Sequence, residues 1–428
     1  MKKHPSGARV RWVGRRSVWL LALAALSLVA AACGKTSSTS SSAASSPSSS
    51  TAAASASSST SASTGCGSIP ALSVHDSTGV ISSLGAKYTA AYNGNADPIF
   101  PSAFAHFKPK GTGNFTIGVA LSQPGNPYNA ALLTALKQQL GTVKGVSHVT
   151  VLVSPPTQPT VQNQQIDQLI QEHVTAIVTE PIVPPAMLPL AAKAKAAGIP
   201  LIAVLNGIPS PNAVSVAANS VADGLNMAAG VAKLISGQGK VIGVHGIPTT
   251  GNDVQAFAGF KAVFAKCPNI TLDSSIVGEF QPPVAKQATL TWLSSHPQPV
   301  AAAVQAAVMG SGIIQAFEQT GRPQPALGNI QASSGDLAYW NEHKSTYKSI
   351  ATTIPPDDIA RATAYTVSHI LSGHGPKVSE IVSPGALITS SNLSKWVTPG
   401  AGPESQAPIS GPPGSWMPDS FLAPLFHG

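Results

Sequence analysis

The chain has 428 residues, of which 43% are hydrophobic and only 10% are charged, with 38 Gly and 37 Pro. This length allows two or three domains with a sizeable core, and the Gly and Pro content is below that of a largely disordered chain. The net charge of +8 comes mostly from six Lys and Arg residues before residue 17. The remaining residues include 19 basic and 17 acidic side chains. This near balance excludes the strongly basic surface that is typical of nucleic-acid-binding proteins.

Residues 1–33 predict export. A basic segment ending at Arg16 precedes an apolar run over Val18–Ala32, which is too short to span a bilayer comfortably. The run ends in small residues followed by Cys33, a pattern that resembles the lipobox of bacterial lipoproteins. The resemblance implies acylation of Cys33 and a lipid anchor on the extracytoplasmic face of the cell membrane. An ordinary signal peptide with a coincidental cysteine is the alternative.

A low-complexity tract follows the signal segment. From Thr36 to Thr64 every residue is Ser, Thr or Ala except Pro47. Such a composition buries too little to fold, so residues 34–66 are predicted to be a tether. Export permits a disulfide between Cys66 and Cys267, and two unpaired thiols are the alternative.

The next segment, residues 67–113, is weakly patterned and predicts an extension with one helix over Val80–Tyr92. Beyond it, short apolar runs alternate with helical stretches. The predicted strands are Thr116–Leu121, Val149–Val153, Ala176–Thr179, Leu201–Leu205, Val214–Val216, Lys240–His245, Ile270–Val277, Val300–Val304, Ala326–Ile330, Ser349–Thr353 and Glu380–Val382. This alternation predicts an α/β fold with parallel sheets covered on both faces, and eleven strands indicate two lobes. Residues 383–428 are rich in Pro and Gly and predict a surface tail.

Several motifs carry a resemblance by their order. They are Ile117–Ser122 with Gly125–Tyr128, Gln164–Ile170 with Val174–Thr179, Ala196–Ile202, Val214–Asn219 with Gly224 and Ala228, and Gly243–Gly246 with Gly259-Phe260. Together they resemble the type I periplasmic solute-binding proteins, especially the ribose-type group that serves ABC importers. The resemblance covers roughly residues 114–382.

The resemblance implies two Rossmann-like lobes joined by three crossovers, with lobe 1 over 114–218 plus 354–382 and lobe 2 over 219–353. A small-molecule ligand would bind in the cleft, the lobes would close on it as a hinge, and ABC permease subunits would recognise the closed form. The resemblance further implies a monomer without a cofactor. A lipoprotein that reports a ligand to a membrane receptor is the alternative function.

Enzyme motifs are missing from the sequence. It has no Gly-x-Ser-x-Gly, no His-Glu-x-x-His and no Walker loop. The 11 His are scattered, and His369 and His374 are five positions apart, which is wrong for one helical metal face. We therefore expect neither an enzyme nor a metal site.

Polar residues at the predicted strand ends and crossovers give the candidate ligand-binding set, since ligands of open parallel sheets sit outside the carboxyl ends of the strands. The set is Ser122, Asn126, Tyr128, Asn129, Glu180, Asn206, Asn219, His245, Asn252, Gln305, Gln331 and Thr353. For several of these residues a structural role is the alternative. Asn126 would make a turn, Tyr128 or His245 would fill the core, Glu180 would be a solvated charge, and Asn219 would cap the hinge.

The sequence departs from the sugar-binding relatives at three places. The resemblance implies a cleft arginine near Val254 or Ala256, an Asn-Asp pair at Ala306-Ala307 and an Asp near Ile330, and none is present. Each hydroxyl of a buried sugar needs a new hydrogen-bond partner. The sequence therefore predicts a ligand with fewer hydroxyls than a simple sugar, with Tyr128 and apolar walls contributing more.

Overall fold

The computed structural model describes residues 65–122, 124–155 and 158–428. The predicted signal segment, the predicted lipidation at Cys33 and nearly all of the predicted tether lie outside the described residues. Within the described ranges, no helix combines the length and the apolar character that crossing a bilayer requires.

The described residues contain twelve strands and twelve α-helices. The strands are β1 (Phe115–Ser122), β2 (Val146–Ser154), β3 (Ala176–Thr179), β4 (Leu201–Leu205), β5 (Val214–Ala218), β6 (Gln238–His245), β7 (Asn269–Val277), β8 (Ala302–Gln305), β9 (Ala326–Asn329), β10 (Ser349–Thr353), β11 (Glu380–Ser383) and β12 (Ala386–Ile388). The helices are α1 (Val80–Ser83), α2 (Ala86–Ala91), α3 (Pro127–Gly141), α4 (Pro159–Gln171), α5 (Leu188–Ala196), α6 (Ser220–Leu234), α7 (Gly251–Phe264), α8 (Pro282–Ser295), α9 (Gly310–Thr320), α10 (Ser334–Glu342), α11 (Pro356–Leu371) and α12 (Asp419–Leu422).

The strands form two six-stranded sheets. The first has the order β11-β5-β4-β3-β1-β2, and all its pairs are parallel. The second has the order β12-β10-β9-β8-β6-β7 and is parallel except for the pair β10–β12. We call the first sheet with α3, α4, α5 and α11 lobe 1, and the second sheet with α6 to α10 lobe 2. The predicted α/β fold with two Rossmann-like lobes is confirmed.

Helices on both faces explain the composition of the inner strands. Strands β3 and β8 are buried along their whole length, so neither has a solvent-facing side. A parallel strand covered on both faces is a continuous apolar run rather than an alternating one. This is why Ala176–Thr179 could be assigned to a strand from composition alone.

The segments before β1 and after β11 pack into the cores of the lobes rather than lying on their surface. Tyr92 and Ile99 of the extension are fully buried in the core that lobe 1 builds with α3 and α11. After β11 the chain adds β12 to the second sheet, buries Trp396 in lobe 2, and then buries Trp416 in lobe 1. The sequence predicted a surface tail over residues 383–428, and the structure differs because these aromatic side chains complete both cores.

These segments add crossings between the lobes. Three crossings connect β5 to α6, β10 to α11 and β11 to β12. A fourth lies in the extension, where Leu72 packs on the core of lobe 2 and Val74 on that of lobe 1. A fifth lies between Ile409 in lobe 2 and Trp416 in lobe 1. Five segments of the described chain therefore join the lobes, where the resemblance implied three.

The predicted helix over Val80–Tyr92 is divided into α1 and α2. Gly85, which separates them, has a φ of 90°, outside the helical region. Glycine adopts this conformation without steric cost, so the chain turns there.

Candidate functional site

A cavity of about 270 Å³ lies where strands of both sheets end. Glu180 follows β3 and Asn206 follows β4 in lobe 1, while Ala306 follows β8 and Gln331 comes after β9 in lobe 2, and all four line the cavity. Carboxyl ends of parallel strands share one edge of a sheet, and here the edges of two sheets face each other. The cavity is therefore a cleft between the lobes.

Eight of the twelve candidate ligand-binding residues line this cleft. They are Ser122, Asn126, Tyr128, Asn129, Glu180, Asn206, Asn252 and Gln331. Six of them come from lobe 1, and Asn252 and Gln331 come from lobe 2. Their position at predicted strand ends thus identified residues that share one cleft although they are more than two hundred positions apart in the chain.

Asn219 and His245 are not among the lining residues. The Asn219 side chain caps α6, where it accepts a hydrogen bond from the Ala222 N–H at 3.0 Å, and it donates to the Ala91 carbonyl at 2.9 Å. The His245 Nδ1 lies 2.7 Å from a carboxylate oxygen of Asp253. The first residue ties α6 to the extension, and the second ties β6 to α7.

Gln305 and Thr353 are buried and also lie outside the lining. The Gln305 amide donates to the Ile330 carbonyl at 2.7 Å, and its oxygen accepts from the Met309 N–H at 3.4 Å. Gln305 thereby positions the loops after β8 and β9, which do reach the cleft. Its sequence position alone could not show that its side chain bonds these loops rather than lining the cleft.

Two cleft residues meet at one crossing. The Tyr128 hydroxyl donates to the Ile354 carbonyl at 2.9 Å, and the Gln331 side chain accepts from the Ile354 N–H at 2.7 Å. Burial raises the pKa of the Tyr128 hydroxyl, so the phenol stays neutral and keeps donating. Ile354 lies between β10 and α11 and therefore links one cleft-lining residue of each lobe to the same crossing.

The loop before α3 is held by Asn126. Its side-chain oxygen accepts from the Asn129 N–H at 2.9 Å, as an N-cap does. Pro127 occupies the first helical position, where a missing N–H costs nothing. The turn that the sequence indicated at Asn126 and its place in the cleft lining are therefore compatible.

The cleft contains two carboxyl groups, Glu180 and Asp223. Burial raises the pKa of each to about 7, and for Asp223 it outweighs the hydrogen bond from the Gly385 N–H, which lowers it. Asp223 lies within α6 rather than at the end of a strand, and it was therefore not predicted. The Gly385 contact places it against the β11–β12 crossing.

Backbone strain is concentrated around the cleft. Leu205, Phe280, Val308 and Gln331 all line the cavity and have φ values of 61°, 56°, 55° and 53°. Non-glycine residues rarely adopt this left-handed region, and a β-branched residue such as Val308 is strained there. Strain of this kind persists where the surrounding structure imposes it and is typical of ligand-binding sites.

The lining is more apolar than the resemblance implied. Ala306 and Ala307 lie where the Asn-Asp pair was implied, and Ile330 lies near the position implied for the later Asp, next to Gln331. All four residues line the cleft. Phe280, which follows β7, also lines it and was missed because only polar residues at the strand ends were taken as candidates. Among the described residues, no group of three or more His, Cys, Asp or Glu is placed to hold a metal ion.

The chain is similar in sequence to two binding proteins of known name. It is 30% identical over 163 residues to a xylitol-binding protein of Mycolicibacterium smegmatis, a match covering 38% of this chain and 47% of that relative. It is 22% identical over 280 residues to a ribose import binding protein of Bacillus subtilis, covering 64% and 88%. The chain thus spans about half the length of the first relative and most of the second.

The fold is shared with solved structures of the same kind. A solute binding protein of an ABC transporter from Thermobispora bispora has a TM-score of 0.62 at 21% identity, over 73% of this chain and 94% of that one. The sequence profile of the periplasmic binding protein domain matches residues 117–375, which is more than half of the chain and includes strands of both sheets. The chain belongs to the periplasmic binding protein domain family.

Proposed function

We propose that the protein is an extracytoplasmic solute-binding lipoprotein that captures a small molecule between its lobes and delivers it to the permease subunits of an ABC importer. The observation that carries the proposal is the cleft of about 270 Å³, which residues from the carboxyl ends of both sheets line together. Closing two lobes over such a cleft would remove a small solute from water on all sides and strengthen its polar contacts.

The ligand is proposed to be sugar-like or less polar. Ser122, Asn126, Asn129, Asn206 and Asn252 provide uncharged donors and acceptors at the lining. Ala306 and Ala307 replace the Asn-Asp pair that the resemblance implied, and Ile330 is apolar near the implied Asp, so a fully hydroxylated sugar would lose hydrogen bonds on entering. Asn219, His245, Gln305 and Thr353 would support the lining from behind.

Mass spectrometry of the solute released from purified protein tests the function. A single small molecule in stoichiometric amount, whose re-addition raises the unfolding temperature, is the expected result. Absence of any released solute, together with an unchanged unfolding temperature across a broad panel of sugars, polyols and amines, contradicts it. Calorimetry tests the ligand class separately, because sub-micromolar binding of ribose, galactose or xylose would contradict only the less hydroxylated ligand.

The anchor and the coupling to transport are tested in cells. Cys33→Ala is expected to release the protein from the membrane fraction into the medium. Deletion of the gene is expected to abolish uptake of the identified solute. If uptake persists and a membrane receptor loses its response to that solute, the alternative sensing function replaces transport.

A further inference from the structure

Apart from Tyr128, the ionisable side chains that line the cleft are all acidic. Glu180 and Asp223 line it, and no Lys, Arg or His among the described residues does so. A negatively charged solute would therefore meet two carboxyl groups and no counter-charge in the cleft. The acidic lining therefore disfavours binding of sugar acids and sugar phosphates on electrostatic grounds alone.

The two carboxyl groups differ in what they contact. Asp223 accepts a hydrogen bond from the Gly385 N–H at 2.8 Å and is thereby committed to the β11–β12 crossing. Glu180 receives the Gln162 amide on its backbone carbonyl at 2.8 Å, and no described group donates to its carboxylate. Glu180 is therefore the acidic side chain that remains available to a ligand.

Aromatic side chains flank the same space from both lobes. Tyr128 of lobe 1 donates a hydrogen bond to the Ile354 carbonyl, and Phe280 of lobe 2 has a left-handed backbone conformation. Both residues line the cleft. Aromatic faces attract cations through their quadrupole, and the attraction is strongest where water is excluded.

Glu180 is partly buried. An ionised carboxylate in such a cleft without a partner is costly, because it has lost part of its hydration and gained no opposite charge. A neutral polyol would supply hydroxyl donors but no charge. A protonated amine would supply both, and its N–H donors would fit a carboxylate with free acceptor sites. On the basis of the proposed solute-binding function, we infer that the ligand carries a protonated amine, which Glu180 binds between the rings of Tyr128 and Phe280.

Calorimetry with matched series of compounds tests this inference on the complete folded protein. Each series shares one skeleton and differs in charge: 1-amino-1-deoxyxylitol, xylitol and xylonate form one, and cyclohexylamine, cyclohexanol and cyclohexanecarboxylate form another. We expect the amine to bind at least tenfold more tightly than the neutral compound of its series, and the acid to show no binding. Neutral compounds that bind as tightly as the amines would overturn the inference and leave the solute-binding function standing. No binding in any series would count against the inference and against the ligand class together.

Glu180→Gln isolates the charge while keeping the size of the side chain. The variant is expected to reduce the preference for the amine to within about twofold while it still binds the neutral compound. Glu172→Gln, at an exposed position that ends α4 in the same lobe, is the matched control and is expected to keep the full preference. A Glu180→Gln variant that folds normally and retains the tenfold preference would overturn the assignment to Glu180.

Discussion

A disulfide joins Cys66 to Cys267, which lie 201 positions apart in the sequence. Cys267 is buried in lobe 2, just after α7, and Cys66 packs against the same core. A few residues further on, between Leu72 and Val74, the chain leaves lobe 2 for lobe 1. The disulfide therefore fixes the lobe 2 end of a crossing that lies outside the part of the chain matched by the family profile.

Replacing both cysteines by serine is expected to lower the free energy of unfolding by about 2–4 kcal/mol, since the cross-link restricts the unfolded chain. The unliganded variant is also expected to show a larger radius of gyration in small-angle scattering, because the lobes lose a restraint on opening. Dithiothreitol should have both effects on the wild type and neither on the double variant. Two titratable thiols at Cys66 and Cys267 in unfolded, unreduced protein would contradict the disulfide itself.

The C-terminal segment is held by the buried carboxylate of Asp358 and by Arg361, which donates to the Trp416 and Met417 carbonyls. Asp358 accepts hydrogen bonds from the Gly414 N–H at 2.7 Å, the Ser415 hydroxyl at 2.8 Å and the Trp416 N–H at 2.8 Å. Because Trp416 lies in the core of lobe 1, the loss of these bonds would loosen both the segment and the core.

Asp358→Ala is expected to destabilise the protein by about 3 kcal/mol or more, because hydrogen bonds to charged groups are strong and buried donors would be left unpaired. Urea unfolding measures the loss, and limited proteolysis should cut the variant near Trp416. Asp357→Ala is the matched control, since Asp357 is exposed in the same turn of α11. Equal stability of the two variants would contradict the role given to Asp358.

Most strands could be predicted from the sequence, but helix α10 could not. The bounds predicted for β3, β4 and β10 agree with the structure, because apolar runs between Gly, Pro and polar residues identify buried parallel strands. Helix α10 was missed because it is buried on nearly all sides, so that Ser334–Glu342 has no amphipathic pattern. The capping box formed by Ser333 and Asp336 was the available signal. Strand β12 has only three residues and shows no period.

The cleft could be predicted only to the level of strand ends. Position at a carboxyl end identifies which residues lie near the cleft, and it correctly grouped Glu180 with Gln331. It does not say which way a side chain points. The Gln305 side chain bonds the loop after β9, and the Asn219 side chain caps a helix. Asp223 was missed because it lies one turn inside a helix, where only the packing of α6 against the crossing brings it into the lining.

The contact between α6 and α7 depends on glycine. A Cβ added at Gly259 would lie 2.3 Å from the Val221 carbonyl oxygen and 2.7 Å from the Leu225 nitrogen. Gly259→Ala is therefore expected to force the helices apart and to cost about 1–3 kcal/mol or more in urea unfolding. At Gly141, the last residue of α3, an added Cβ meets nothing within 4 Å. Gly141→Ala is expected to be neutral or to stabilise by about 0.5–1 kcal/mol, and similar losses at both positions would contradict the close-packing argument.

Stability is expected to fall as pH rises from about 4 to about 7. Burial raises the pKa of Asp223 from 3.8 to about 7, so within this window the folded state holds a proton that the unfolded state has released. A carboxyl group whose pKa is raised in this way lowers the free energy of unfolding by at most about 1.4 kcal/mol for each unit of pH between about 4 and about 7.

Asp223→Asn removes this titration and keeps an oxygen that can accept from the Gly385 N–H. The variant is expected to show a flatter decline of stability than the wild type between pH 5 and pH 7 in urea titrations. Asp357→Asn, at an exposed position, is expected to reproduce the wild-type slope. The wild type and the Asp223→Asn variant differ only at position 223, so the difference between their slopes reports on that position. Equal slopes in all three proteins would show that Asp223 is ionised in the folded state throughout this range.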